Sequence, residues 1–170
     1  MLQVDLRALA QGPVDTDGSL ATDDPMFAGS DLGLLEAVVV RGRLSDAGEG
    51  KYYWRGRLST SVTGECRRCL KPVSIPIKAS VDALFTEDQS ADDPSVYTLP
   101  LKATGVDLTE AVREELILAV PAYVLCQDDC RGLCPRCGAD LNAGPCQCRP
   151  ESDPRWAALE ALKSRPADER

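Results

Sequence analysis

Between residues 37 and 85, apolar and polar side chains alternate in three runs. In the first, Val38, Val40 and Leu44 share one face and Arg41 and Arg43 the other. In the second, Tyr52, Trp54, Leu58 and Val62 alternate with Tyr53, Arg55, Arg57, Ser59 and Ser61. In the third, Val73, Ile75, Ile77, Ala79, Val81 and Phe85 alternate with Ser74, Lys78, Ser80 and Asp82. Successive strand side chains point to opposite faces, so each run buries one side, and together they predict an antiparallel meander. Pro76 has no N–H to give a ladder, which predicts an edge or a bulge. Asp46–Gly50 reads as a hairpin loop.

The flanks are patterned differently. Residues 1–35 alternate weakly: Asp5–Leu9 suits a short strand or a helical turn, and Gly12–Pro25 has a loop composition. Residues 86–95 are acidic and turn-rich, which also predicts a loop. Asp107-Leu108-Thr109-Glu110 has capping-box spacing, with Asp107 as cap and Glu110 three residues later. The helix it opens places Leu108, Ala111, Val112, Leu116 and Ala119 on one face and stops at Pro121. A last helix is expected from Asp153, with Pro154 at its first position and Trp156, Leu159 and Leu162 at helical spacing.

Composition narrows the chemistry. The 170 residues contain no histidine, which removes Ser-His-Asp and Cys-His machinery, HExxH zinc proteases and imidazole metal ligands. The N-terminus has no signal-peptide pattern, and no apolar run is long enough to span a bilayer, so a cytoplasmic location is expected. In that compartment eight cysteines point to metal rather than disulfides.

Their spacing supports zinc. Cys134-Pro135-Arg136-Cys137-Gly138 is a zinc knuckle by sequence. Two thiolates of a CxxC reach one ion, Gly138 permits the turn behind them, and Cys146-Gln147-Cys148 can return to complete a tetrahedron. Cys66 and Cys69 form a second CxxC between two strands, leaving Cys126 and Cys130 to join them. Without histidine each site needs four cysteines, so two zinc ions per chain are expected. Site 1 is Cys66, Cys69, Cys126 and Cys130; site 2 is Cys134, Cys137, Cys146 and Cys148. Sites made only of thiolates leave no position for water, which favours a structural over a catalytic metal. The competing reading is a redox-active Cys66/Cys69 pair, but such motifs open a helix in an α/β pattern, and this one lies between strands.

The fold class expected is therefore α+β: an antiparallel β-meander or partly open barrel, two helices and a C-terminal zinc-knuckle segment. Residues 1–125 would form the sheet domain, with its helix at about 107–120. Residues 126–165 would form the cysteine-rich segment and terminal helix, packed on the first through the shared zinc site.

The formal charge is −8, which argues against an indiscriminate nucleic-acid coat. Residues 41–78 nevertheless hold nine basic residues and three acids. Arg41, Arg43, Arg55, Arg57 and Lys78 share the polar sheet face with Tyr53, and Arg67, Arg68 and Lys71 cluster at the first CxxC. This suits phosphate contact with Tyr53 free to stack. The alternative is a solvated face on which arginines serve solubility and edge protection.

These motifs together resemble the YceD-type bacterial proteins, the large ribosomal RNA subunit accumulation proteins. The matching features are Asp5-Leu6-Arg7, Gly64-Glu65-Cys66-Arg67-Arg68-Cys69-Leu70-Lys71-Pro72, Asp107-Leu108-Thr109-Glu110, Glu114-Glu115-Leu116 and Pro121. Most specific is Cys130-Arg131-Gly132-Leu133-Cys134-Pro135-Arg136-Cys137-Gly138-Ala139-Asp140-Leu141-Asn142, followed by the Cys-x-Cys and Asp153-Pro154-Arg155. The resemblance implies support of 23S ribosomal RNA accumulation or processing and large-subunit biogenesis, with a 23S precursor or a large-subunit ribosomal protein as partner. It implies no settled reaction and no small-molecule substrate. Some members lack most of the C-terminal cysteines, which shifts functional weight to the sheet and the first CxxC. Two alternatives stand beside this non-enzymatic reading. One is an RNA-processing enzyme using Asp82, Glu87, Asp88, Asp92 and Asp93 or Glu114 and Glu115; the other is a thiol redox sensor.

Overall fold

The three alternating runs form three long neighbouring strands in the computed structural model, which describes residues 2–90, 93–148 and 155. In chain order the elements are β1 (Gln3–Asp5), β2 (Val14–Leu20), β3 (Val38–Gly48), β4 (Lys51–Glu65), β5 (Pro72–Thr86), β6 (Val96–Thr98), β7 (Gly105–Asp107) and α1 (Thr109–Ala119). The main sheet has the order β2-β3-β4-β5-β6, antiparallel except for the β5–β6 pair. It is an open sheet, not a barrel. β1 and β7 form a separate antiparallel pair. The terminal helix expected from Asp153 lies outside the described residues.

The alternation decides which face is covered. Val38, Val40, Leu44, Trp54, Leu58 and Val62 are almost fully buried on one side, while Arg41, Arg55, Arg57 and Ser59 of the same strands are exposed. Each large apolar side chain buried this way contributes about 1.5–3 kcal/mol. Helix α1 turns Ala111, Val112 and Leu116 to this core. Its N-terminus is held by the Asp107 carboxylate, which accepts from the Thr109 N–H at 2.9 Å. At its C-terminus Val120 is extended (φ −71°, ψ 118°), the conformation favoured before Pro121.

Two expectations are revised, and the edge or bulge expected at Pro76 is met as an edge. The stretch Gly12–Pro25 is not all loop, because Val14–Leu20 is the edge strand β2, paired residue for residue with β3. Its inward positions include Thr16 and Gly18, which hides the period-two pattern. The loop expected at Asp46–Gly50 shrinks to a two-residue turn, Glu49-Gly50, with φ of 54° and 69°. Positive φ at both positions matches the twist of the flanking strands. Pro76 causes no bulge: β5 pairs with β4 in unbroken register, and β6 reaches only Leu84–Thr86, so Pro76 borders an edge.

Trp54 organises the centre of the sheet. Gly42 and Gly56 are cross-strand partners beside it. A Cβ on Gly56 would lie 2.5 Å from the Trp54 ring, and one on Gly42 would lie 2.7 Å from its Nε1. The indole thus occupies space that only two glycines leave open. Its Nε1–H donates to Thr16 Oγ1 at 3.0 Å, tying β2 to the core. Gly56→Ala is expected to lower stability by about 1–3 kcal/mol through overpacking, seen as a lower midpoint in thermal or urea unfolding.

Candidate metal centres and basic surface

β4 ends at Glu65, the chain turns through Cys66–Lys71, and β5 begins at Pro72. In this turn the Leu70 N–H donates to Cys66 O at 2.8 Å and the Cys66 N–H donates to Lys71 O at 2.8 Å. The second knuckle repeats the pattern: Gly138 N–H to Cys134 O at 2.9 Å, and Cys134 N–H to Ala139 O at 2.8 Å. The residue after the second cysteine is left-handed in both, with φ of 60° at Leu70 and 71° at Gly138. Leucine in that region costs on the order of 1–3 kcal/mol.

The structure brings the eight cysteines into two groups of four, each with its sulfurs within 4.8 Å of one another. Cys66, Cys69, Cys126 and Cys130 make the first, with Cys66–Cys130 at 3.7 Å and Cys69–Cys126 at 3.5 Å between Sγ atoms. A tetrahedron with metal–sulfur bonds of about 2.3 Å has sulfurs about 3.8 Å apart. The spacing therefore fits a four-coordinate ion. Cys134, Cys137, Cys146 and Cys148 make the second. Both groups can hold metal. Among the described residues, these are the two places where three or more side chains suited to metal ligation converge.

The first group joins the β4–β5 turn to the chain beyond α1. The Arg67 N–H donates to Val124 O at 3.0 Å, and the Arg68 guanidinium donates to Cys130 O at 2.7 Å. The second loop then folds back on the first turn. Leu133 N–H donates to Arg68 O at 3.0 Å, and Lys71 Nζ lies 2.7 Å from Asp140 Oδ2. Gly132 (φ 75°) makes the approach possible, since a Cβ there would sit 2.8 Å from Arg68 O. Asn142 completes the contact: Nδ2 donates to Cys130 Sγ at 3.6 Å, and Oδ1 accepts from the Arg131 N–H at 2.7 Å. In the sequence Asp140 and Asn142 stand only as part of the motif Cys130–Asn142, without a role of their own, because their roles depend on how the second loop folds.

The thiols within each group differ. Burial pushes Cys66 up, but backbone N–H donors from Cys126, Cys69 and Arg68 outweigh it and bring it down to about 6. Cys134 is also brought to about 6, chiefly by the N–H groups of Cys137 and Arg136. Cys126 is pushed up to about 12, first by its hydrogen bond with Cys69 and then by burial. Cys148 is likewise raised to about 12 by Cys137 and burial. Lys71, followed by Asn142, holds Asp140 down at about 2.

The polar sheet face is less uniformly basic than a count of residues 41–78 suggests. Asp17 and Asp15 of β2 pair with Arg41 at 3.0 Å and Arg43 at 2.7 Å. Asp82 lies 2.9 Å from Arg55 and also accepts from the Tyr53 hydroxyl. Tyr53 is therefore engaged within the sheet rather than free. At the knuckle, Arg67 lies over the Tyr123 ring at 4.4 Å, and Arg68 and Lys71 hold the second loop. Arg57 and Lys78 have no acidic partner among the described residues. Of the candidate catalytic carboxylates, Asp82 serves Arg55, Glu87 accepts from Tyr52 and the Lys102 N–H, and Glu114 accepts from Tyr97. Asp88 and Asp93 close local turns with Ser90 and Ser95. Asp92 lies outside the described residues.

Residues 54–163 match the model of the family described as large ribosomal RNA subunit accumulation protein YceD. An uncharacterized protein of Mycobacterium tuberculosis is 33% identical over 107 residues, covering 61% of this chain and 52% of the relative. The uncharacterized protein YlbN of Bacillus subtilis is 29% identical over 163 residues and 92% of each chain. A maize protein named large ribosomal RNA subunit accumulation protein YCED homolog 1, chloroplastic, is 25% identical over 134 residues, 61% of this chain and 46% of the relative. The chain spans about half the length of the mycobacterial relatives it matches (52%). No solved structure matches. No helix among the described residues is long and apolar enough to cross a membrane.

Metal binding must displace a proton from Cys126 in the first group and from Cys148 in the second. Both are protonated in the metal-free state at neutral pH, so affinity weakens as pH falls. Between pH 8 and 6, apparent affinity at each group should drop about tenfold or more per unit. Competition titration with a colorimetric chelator measures the slope; a flat profile would contradict the assignment of thiolate ligands.

Proposed function

The chain belongs to the YceD family, and from that premise we propose that it is a non-enzymatic factor supporting 23S ribosomal RNA accumulation or processing and large ribosomal subunit biogenesis. It acts by contact with RNA or a large-subunit ribosomal protein. The observation that carries this reading is the family match over residues 54–163, a range that contains most of β4, all of β5 and all eight cysteines. The maize relative's name, with its accumulation of large ribosomal subunit RNA, supports the same direction.

In this reading each four-cysteine group holds one zinc ion, two per chain. Four thiolates fill the tetrahedron and leave no open position for water, so the metal supplies folding free energy rather than chemistry. The first ion joins residues 1–125 to the segment that follows. The sheet and first knuckle then present the contact surface: Arg41, Arg43, Tyr53, Arg55, Arg57 and Lys78 on the sheet, with Arg67, Arg68 and Lys71 beside the metal. Engagement of Asp82, Glu87, Asp88, Asp93 and Glu114 with local partners favours this over an RNA-processing enzyme. Gathering of the sulfurs in fours favours it over a dithiol redox sensor.

Metal analysis of the purified chain should give two zinc ions, released with loss of structure under a strong chelator; a value near zero would remove the zinc assignment. Crosslinking in cells, followed by identification of bound RNA and protein, should enrich 23S precursor or early large-subunit particles. Recovery of neither overturns the functional reading.

A further inference from the structure

The polar face of the sheet is ruled into cross-strand rows, and the rows differ in charge. One row runs Asp15, Arg43, Arg55, Asp82 across β2 to β5. Its two central arginines face one another, but an aspartate at each end pairs with each of them. The next row runs Asp17, Arg41, Arg57, Ser80. Here only Arg41 has its acid, and Ser80 stands where the first row has Asp82. The third runs Ser19, Val39, Ser59, Lys78, with no acid at all. Like charges directly opposite on neighbouring strands are destabilising unless something compensates them. The chain compensates the Arg43–Arg55 pair fully and leaves the Arg41–Arg57 pair half-compensated beside Lys78, which has no acidic partner among the described residues.

That deficit coincides with a shape. Arg41, Arg57, Ser59, Lys78 and Ser80 line one concavity of about 380 Å³ with Val39. Arg57 and Lys78 are diagonal neighbours on adjacent strands, roughly 7–8 Å apart at their backbones. Their long side chains can converge on one group between them. Ser59 and Ser80 stand beside each cation in register and offer hydroxyl donors. Two cations and two hydroxyls at the rim of a shallow, mainly apolar hollow suit a tetrahedral oxyanion with a single negative charge.

We infer that Arg57, Lys78, Ser59 and Ser80 form a binding site for one phosphate group, the internal phosphodiester of a single-stranded nucleic acid or a free phosphate. The inference rests on the proposed RNA contact and sharpens it. The contact centres on this hollow, and the remaining arginines, already paired, shape the face around it.

Amide resonances of the full-length, metal-loaded chain are followed while inorganic phosphate is added. Residues 57–59 and 78–80 should shift saturably, and Arg57→Gln with Lys78→Gln should abolish the response while circular dichroism stays unchanged. A control pair outside the hollow, Lys51→Gln with Lys102→Gln, should respond as the parent chain does. A second titration uses a short single-stranded oligouridylate. The Arg57/Lys78 variant should lose affinity on the order of tenfold, and its salt slope should fall by about 0.7, one phosphate's worth. Shifts scattered over the surface, or an unaltered response in the variant, overturn the site even if precursor RNA is recovered in cells. A saturable phosphate response without oligouridylate binding keeps the site, assigns it to free phosphate, and counts against the RNA reading alone.

Discussion

Convergence of four sulfurs at the β4–β5 turn is the constraint on which the described chain beyond α1 depends. Beyond α1 there is little apolar material to bury. The small cluster there consists of Cys66, Cys69 and Cys130, with Val73, Leu125 and Leu133 packed against it. So few side chains cannot offset the entropy of ordering the twenty or so residues that follow. A cation held by four thiolates takes the place of a hydrophobic core in small domains. The surrounding hydrogen bonds from Arg68, Asn142 and the knuckle N–H groups then orient the sulfurs rather than hold the segment alone. Outer contacts of this kind tune the ligands they touch. Because Asn142 comes from the second loop, the two groups are mechanically joined.

The sheet has an independent source of stability. Its buried face is continuous from Leu20 to Phe85, and Trp54 anchors it through the opposed glycines Gly42 and Gly56. The exposed face is arranged by charge. Acids from β2 and β5 meet arginines from β3 and β4 in register. Exposed pairs of this type add little stability individually. Their larger effect is on the field of the surface, since each pair cancels a charge that would otherwise draw in any polyanion. On this face, selective neutralisation leaves Arg57 and Lys78 as the cations without an acidic partner among the described residues.

Much of this was legible in the sequence because it rests on short periods. The alternation in β3, β4 and β5 predicts the buried and exposed positions seen, and Pro121 marks where α1 stops. The grouping of cysteines follows from spacing and the absence of histidine. What was not legible depends on partners distant in the chain. β2 looks like a loop because Thr16 and Gly18 hold inward positions. Thr16 is there to accept the indole hydrogen bond, and Gly18 because a Cβ would meet the Leu2 side chain at 2.5 Å. Missing that strand also meant missing Asp15 and Asp17, and so overestimating the free positive charge. Leu70 in a left-handed turn is invisible to a rule that looks for glycine.

The unequal sequence spans of the two cysteine groups bear on how the molecule assembles. Cys134 to Cys148 lie within one short loop, whereas Cys66 and Cys130 are 64 residues apart. Closing the longer span costs about 1 kcal/mol more chain entropy, before counting the structure that must already be in place between its ends. β5, β6, β7 and α1 lie inside that span, so their formation shortens the search. By chain entropy alone the local group is the cheaper to close, and the long-range group gains most from a sheet and helix already formed.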